Sequence, residues 1–345
     1  MSSQKLPVVL MGLAPLALAL PVAMDIYVPA VPRITELFHT SAAMMQLTLN
    51  LFMLTSGLVQ FGVGPVTDRF GRRIVVAFAI LLFALGSFLC GEAVDVGTLI
   101  AGRLVQAIGS CIMMVLSFTI GRDLFSGIRL AKCYSFLNGI ISFSPMFAPF
   151  IGSYLDIKYG WQATFSSLIV IALWAFIAYF SLLKESWPAV NRITLSWSIL
   201  AEYKKIGRHP VFIFYTLASA IGLSYLFLFC TISPVLLMTI LHVPEANYGY
   251  YFCFMGISFF CGSFFSAYVV GKLGVYRTVV LGFMITLFGA CVLCVWDFIA
   301  GVSIAGFVVP MPLIGVGGTC SMGAGSAGAV ELFQQQSGVA SAFSS

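Results

Sequence analysis

The feature that most limits the fold is a succession of apolar runs, each near the length of a bilayer crossing, with short polar breaks between them. A helix needs roughly 20 apolar residues to cross a hydrocarbon core about 30 Å thick. Such runs extend from Leu6 to Tyr27, Ala43 to Val63, Ile74 to Gly91, Leu99 to Ile120, Cys133 to Leu155, Ala163 to Leu183, Val211 to Leu241, Tyr248 to Val270, Thr278 to Val295 and Phe298 to Val330. A chain that is 60% hydrophobic is too apolar for a soluble domain with a polar surface. The pattern predicts an all-α polytopic membrane protein of about ten spans. The last run exceeds one upright crossing and contains Pro310 and Pro312, which predicts a kinked or loop-started helix. The first run follows Lys5 and holds Ala17-Leu18-Ala19, so a removable secretory leader is the alternative there. Because the run continues past that site and nine others follow, it is read as a span.

Lys and Arg accumulate in the cytoplasmic loops of such proteins. Of the 17 here, Arg103 lies inside a span and only Arg33 and Lys158 fall in odd-numbered loops. The amino terminus is therefore expected to be cytoplasmic, and the net charge of +5 follows from topology. No basic stretch interleaved with stacking aromatics calls for nucleic acid. The nine cysteines lie mostly inside spans, where Cys acts as a small hydrophobe. Cys291 and Cys294 lack a second ligand pair, so no metal or cofactor is expected.

The longest polar interruption, Lys184 to Pro210, divides the chain into an N-terminal six-helix half (1–184), a cytoplasmic linker (185–210) and a C-terminal half (211–345). At a constant offset "VTDRFGRRIVV" after the second span is answered by "VVGKLGVYRTVV" after the eighth, with Gly71 on Gly274 and Gly86 on Gly289. Repeated halves around a linker are a transporter architecture.

Four stretches carry the functional signal. "GPVTDRFGRR", residues 64–73, holds Asp68 with Arg69, Arg72 and Arg73, between Gly64 and Gly71. Positive charge alone would keep such a loop inside; the glycines permit a tight turn or close approach, and the acid can cap a helix or pair with an arginine. "DIYVPAVP" places Asp25 and Tyr27 before Pro29 and Pro32 at the end of the first span. An acid beside a water-filled path can exchange a proton on either side, although an acid and two prolines also suit an ordinary interfacial helix end. "AGRLVQAIGS" puts Arg103 inside the fourth span, at an insertion cost of about 2.5–3.5 kcal/mol unless it snorkels or finds a partner. "SPMFAPFIGSYL" carries Pro145, Pro149 and Gly152 in the fifth span and predicts a kink.

The first of these resembles the loop between spans two and three of the major facilitator superfamily, roughly G-x-x-x-D-R-x-G-R-[RK]. Gly64, Asp68, Arg69, Gly71, Arg72 and Arg73 all match. The resemblance implies the major facilitator fold of two six-helix halves. It also implies a cytoplasmic latch in which the acid meets the amino end of span eleven. Asp25, Pro29 and Pro32 resemble the span-one signature of its drug:proton antiporters, which implies proton coupling through Asp25 with Arg103 as its partner, directly or through water. Arg103, Gln106 and Gly109 resemble R-x-x-Q-G-x-G, with Ala107 in place of the first glycine. The fifth-span prolines resemble the antiporter signature G-P-x-x-G-G, with Ala148 and Ser153 as departures. Together with "GRDLF" and "YGWQATF" they are similar to the bicyclomycin/chloramphenicol resistance branch. The family has twelve spans, and "SGVASAFSS" resembles the opening of the eleventh, so the sequence reads as lacking the last two.

The function this implies is proton-coupled efflux of small amphipathic drugs or metabolites across the bacterial inner membrane, by a monomer in the lipid bilayer. Tyr27, Asn50, Gln106 and Asn138 are the candidate substrate-cavity residues, with Gln46 and Gln60 further polar groups in spans. Competing readings are a non-transporting remnant or membrane binding protein, and proton-coupled uptake or export of a specific metabolite such as a siderophore. No constellation for an enzyme is present, since His39, His209 and His242 fall in expected loops. "GAGSAG", residues 323–328, matches a dinucleotide fingerprint in letters only, and is read as small residues packing a membrane helix.

Overall fold

The computed structural model describes residues 5–125, 127–187 and 209–331, and among these the secondary structure is helical. Most of the expected linker, and the expected opening of an eleventh span, lie outside the described residues. Among the described residues nine helices are long and apolar enough to cross a membrane, and ten if the bent pair 136–159 is one span. The all-α polytopic reading therefore holds.

Contacts divide the chain into two compact units, Met1–Leu195 and Ser196–Ser345. The first contains α1 (Leu6–Asp25), a 3-10 turn (Val28–Ala30), α2 (Val31–Leu37), α3 (Ala42–Phe70), α4 (Arg72–Gly91), α5 (Val96–Leu124), α6 (Gly127–Tyr159) and α7 (Gln162–Leu182). The second contains α8 (Pro210–Ser233), a π-helical turn (Pro234–Ile240), α9 (Glu245–Leu273), α10 (Val275–Ala300), a short α11 (Ile304–Val308) and α12 (Met311–Glu331). The kinked start expected of the last run is the α11–α12 break around Pro310.

Each unit is organised around its fourth span. In the first, α5 packs on α1, α3 and α4; in the second, α12 packs on α8, α9 and α10. The echo found in the sequence has a structural counterpart. Helices α3 and α9 are both 29 residues long and end at glycines of matching conformation, Gly71 (φ 90°, ψ 157°) and Gly274 (φ 79°, ψ 170°), which start α4 and α10. A residue with a Cβ is strained at such a φ, so the break falls where glycine stands. Gly86 and Gly289 do the same work in the two units. A Cβ on Gly86 would lie 2.6 Å from the Cα of Gln106 on α5, and one on Gly289 would lie 2.9 Å from Ile314 on α12. Removing bulk lets membrane helices approach closely where no hydrophobic gain from leaving water drives them together. The 323–328 glycines serve the same packing, with Gly325 and Gly328 against Tyr215 of α8.

Two helices continue well past the ends of their apolar runs. The second span does not stop at Val63, because α3 continues through Asp68 and Arg69 to Phe70. The fifth continues past Leu155 to Tyr159, which takes Asp156 into the helix. Charged last turns remain helical where their side chains find partners or reach water, which a hydropathy window cannot register.

Candidate functional site

All four charged side chains counted as buried among the described residues, Asp25, Arg72, Arg103 and Asp156, belong to the first unit. The buried polar groups of the second are serines and threonines. Each of the four sits where a helix ends, bends or meets a neighbour.

Asp25 is the last residue of α1. Pro29 and Pro32 follow; proline lacks an N–H and disfavours helix in the residue before it, so the span breaks into the Val28–Ala30 turn and α2. Asp25 is 3% exposed, and Ser144 Oγ of α6 donates to its Oδ2 at 2.9 Å. Among the described residues no lysine or arginine pairs with it.

Arg103 is fully buried two turns into α5, so it does not snorkel. Its Nη1 donates to the carbonyl of Ala23 at 2.8 Å and to Gln106 Oε1 at 2.7 Å. Ala23 lies in the last turn of α1, where carbonyls lack helical partners and a cation is favourable. The guanidinium is flanked by Phe52, 4.1 Å from the ring centroid, and Tyr27, 4.9 Å from it, an arrangement that partly compensates a desolvated cation. Gln106 Nε2 donates to Ser87 Oγ at 2.8 Å, and Ser87 in turn donates to the Phe83 carbonyl at 2.7 Å, which ties α5 to α4. Gly109 completes that contact: a Cβ there would lie 2.6 Å from the Ala79 carbonyl. Asp25 and Arg103 thus share the end of α1, but Arg103 is turned onto the Ala23 backbone while Asp25 is turned onto α6.

The expected cavity residues separate into two classes. Tyr27 and Gln106 are fully buried in the first unit, with the Tyr27 hydroxyl 3.0 Å from Thr48 Oγ1. Asn50 and Asn138 are exposed, on α3 and α6. The fifth-span prolines coincide with a 43° bend between Phe136–Pro145 and Phe147–Tyr159. Gly152 lies beyond it, where a Cβ would collide with the Ile26 carbonyl.

Residues 64–73 form one corner of the first unit. Arg72, 1% exposed, pairs with Asp68 at 2.6 Å and with Asp123 of α5 at 2.9 Å, and its guanidinium lies 4.7 Å from the centre of the Trp187 ring. It also donates to Thr67 Oγ1 at 2.6 Å. Glu185, just beyond α7, accepts the backbone N–H groups of Arg72 at 3.0 Å and Arg73 at 3.1 Å, so a carboxylate caps the N-terminus of α4. Arg73 lies over Phe180, and Arg69 over Phe70. Asp68 keeps 29% of its side chain exposed. The reading of Gly71 as a turn glycine agrees with its positive φ, whereas a Cβ on Gly64, inside α3, would meet nothing within 4 Å.

Sequence reasoning missed Ser144, Glu185, the role of Asp123, and the Arg33–Asp156 pair, 2.8 Å long with Asp156 buried. A usable signal existed for the acids. Only 12 occur in the chain, so each one beside an apolar run warrants a partner.

The model of one protein family, the Major Facilitator Superfamily, matches residues 13–345. The chloramphenicol resistance protein of Pseudomonas aeruginosa is 29% identical over 335 residues, covering 96% of this chain and 78% of its own length. The bicyclomycin resistance protein homolog of Haemophilus influenzae is 29% identical over 255 residues, covering 74% of this chain and 64% of its own. For the multidrug resistance protein MdtL of Citrobacter koseri the figures are 29% over 233 residues, 68% and 59%. Less than two thirds of the length of these last two relatives is therefore matched. Among solved structures, a peptide transporter POT superposes with a TM-score of 0.77 at 13% identity, over 98% of this chain and 86% of its own. A D-xylose–proton symporter superposes at 0.73 with 16% identity, over 98% and 85%. Likeness at such identities concerns the fold.

Proposed function

The chain belongs to the Major Facilitator Superfamily, and from that premise we propose that it exports small amphipathic drugs or metabolites across the bacterial inner membrane in exchange for protons, by alternating access. In this reading residues 1–184 and 211–345 are the two halves, residues 185–210 are the cytoplasmic linker and the amino terminus is cytoplasmic. The resistance proteins among its relatives support the substrate class.

One observation carries the proton coupling. Of the acids with little exposure, Asp156 is tied to Arg33, and Asp123, 6% exposed, to Arg72. Asp25 is held by a neutral hydroxyl. Protonating Asp156 or Asp123 breaks an ion pair, whereas Asp25 changes charge without that loss. A buried ionisable group in a span is by default a functional one, and Asp25 is the one free to titrate. Arg103 holds the last turn of α1, and with it the backbone that presents Asp25. Substrate is met by the exposed faces of α3 and α6, where Asn50 and Asn138 offer hydrogen bonds. The paired rings of Phe143 and Phe147, 4.2 Å between centroids, offer an apolar contact there. Asp68, with its exposed edge, is the latch acid, and Arg72 sets its position.

The test is drug accumulation in cells stripped of their own pumps. Expression of the chain lowers intracellular chloramphenicol or a fluorescent amphipathic dye, and a protonophore abolishes the difference. Asp25→Asn matches the empty vector at equal membrane abundance. Efflux by Asp25→Asn equal to the parent would refute the assignment.

A further inference from the structure

The side chain that holds Asp25 stands on a joint. Ser144 immediately precedes Pro145, at the end of the first limb of α6, where that helix turns by 43°. Pro145 has no N–H for the carbonyl of Ile141, and Pro149 none for that of Pro145, so the helical ladder is thin across the bend. The second limb is fastened to the same part of span one at two other points. Gly152 touches the Ile26 carbonyl with no space for a Cβ. Asp156 is held by Arg33 of α2 through its carboxylate at 2.8 Å and through its carbonyl at 3.0 Å. Three contacts thus lie along one seam, two on the second limb and one, Ser144 with Asp25, at the end of the first.

We propose that Ser144 is a positioning residue that passes the protonation state of Asp25 to the bend of α6, while Gly152 and the Arg33–Asp156 pair hold the second limb in place. The proposal rests on the reading of Asp25 as the proton site. An ionised Asp25 accepts the hydroxyl of Ser144, which keeps the first limb against the end of α1. When a proton from water joins a carboxylate oxygen, that oxygen no longer requires the donor. The hydroxyl then has an acceptor in its own helix, the Ile141 carbonyl that Pro145 leaves unpaired. Serine hydroxyls bond to carbonyls three or four residues back, and the helix bends there. The proton leaves by the same route and the seam re-forms.

The surroundings of Asp25 leave Ser144 as its switchable contact. From α5 the charged group is Arg103, committed to Ala23 and Gln106. From α6 it is Asp156, committed to Arg33. Helix α7 carries no charged residue, and its one tyrosine, Tyr179, lies at the other end beside Glu185 and Arg73. On the same span, Tyr27 is bonded to Thr48.

The full chain in proteoliposomes provides the test, with two readouts. The first is the infrared carbonyl band of a protonated carboxyl, assigned by its loss in Asp25→Asn and titrated between about pH 5 and pH 9. Ser144→Ala displaces its midpoint by about half a pH unit and changes its frequency, and Ser144→Thr restores both. The second is the distance between spin labels at Phe136 and Ile157, one on each limb, in a background where the nine native cysteines are replaced. The distance changes across the same titration in the parent and in Ser144→Thr, and stays constant in Ser144→Ala. An Asp25-dependent band that Ser144→Ala leaves unmoved, or a distance that follows pH in Ser144→Ala as in the parent, overturns the role of Ser144 alone. Absence of any band removed by Asp25→Asn overturns the proton-site reading beneath it.

Discussion

Arg103 shows how much one side chain can be asked to do inside a membrane protein. It has five N–H groups and no carboxylate partner among the described residues; its charge is spread over a carbonyl at a helix end, an amide oxygen and two aromatic faces. A planar guanidinium can bond at its edge and stack on its faces together, whereas an ammonium cannot. Arg103→Lys is therefore expected to lose about 1.5–3 kcal/mol of stability, the worth of one charge-assisted hydrogen bond, and at least tenfold in drug export. Thermal unfolding of the purified variant and efflux at matched abundance measure the two. Unchanged export would mean that the end of α1 needs no such clamp. That Arg103 needs either a partner or a reach to the interface was legible in the sequence, since an arginine in an apolar run must answer for its insertion cost. The identity of that partner was not, because a backbone carbonyl leaves no mark in the amino-acid string. Ser144 was hidden for a related reason: a serine in a span is ordinary until an acid from a distant segment is placed opposite it.

At the level of elements, the glycines divide into those that space helices and those that do not. Gly109→Val would press a branched side chain into α4, at a cost of about 1–3 kcal/mol or more by overpacking, and its membrane abundance should fall. Gly64→Ala meets no neighbour, and alanine favours a helix interior over glycine by roughly 0.5–1 kcal/mol. This variant should fold at least as well as the parent, so a loss of transport at unchanged melting temperature would assign Gly64 to the latch rather than to packing. The cap on α4 is a third case. Glu185→Gln keeps the shape but removes the anion from the helix N-terminus, and is expected to cost about 0.3–1 kcal/mol, read as a lower melting temperature. The spans themselves were legible because their length and apolarity follow from the bilayer. Their ends were less so: the turn bearing Asp156 is held by Arg33 from a distant segment, and the turn bearing Asp68 by Arg72 from across the break at Gly71.

The molecule as a whole repeats a packing scheme and breaks its chemistry. Both units gather around a fourth span, and both turn from second to third span at a glycine of positive φ. Among the described residues the buried charges are confined to the first, and at the offset that sets Gly71 on Gly274, Gly271 stands opposite Asp68. Two copies of one scaffold, with charge chemistry in one of them, fit an exchanger in which the first half handles the proton. The purified chain in proteoliposomes with a pH-sensitive dye inside, under an imposed proton gradient, tests that claim most directly. Adding chloramphenicol should start a proton flux that saturates with drug, and Asp25→Asn should show none while still binding the drug. Drug movement without proton flux, or the same flux in Asp25→Asn, would contradict it.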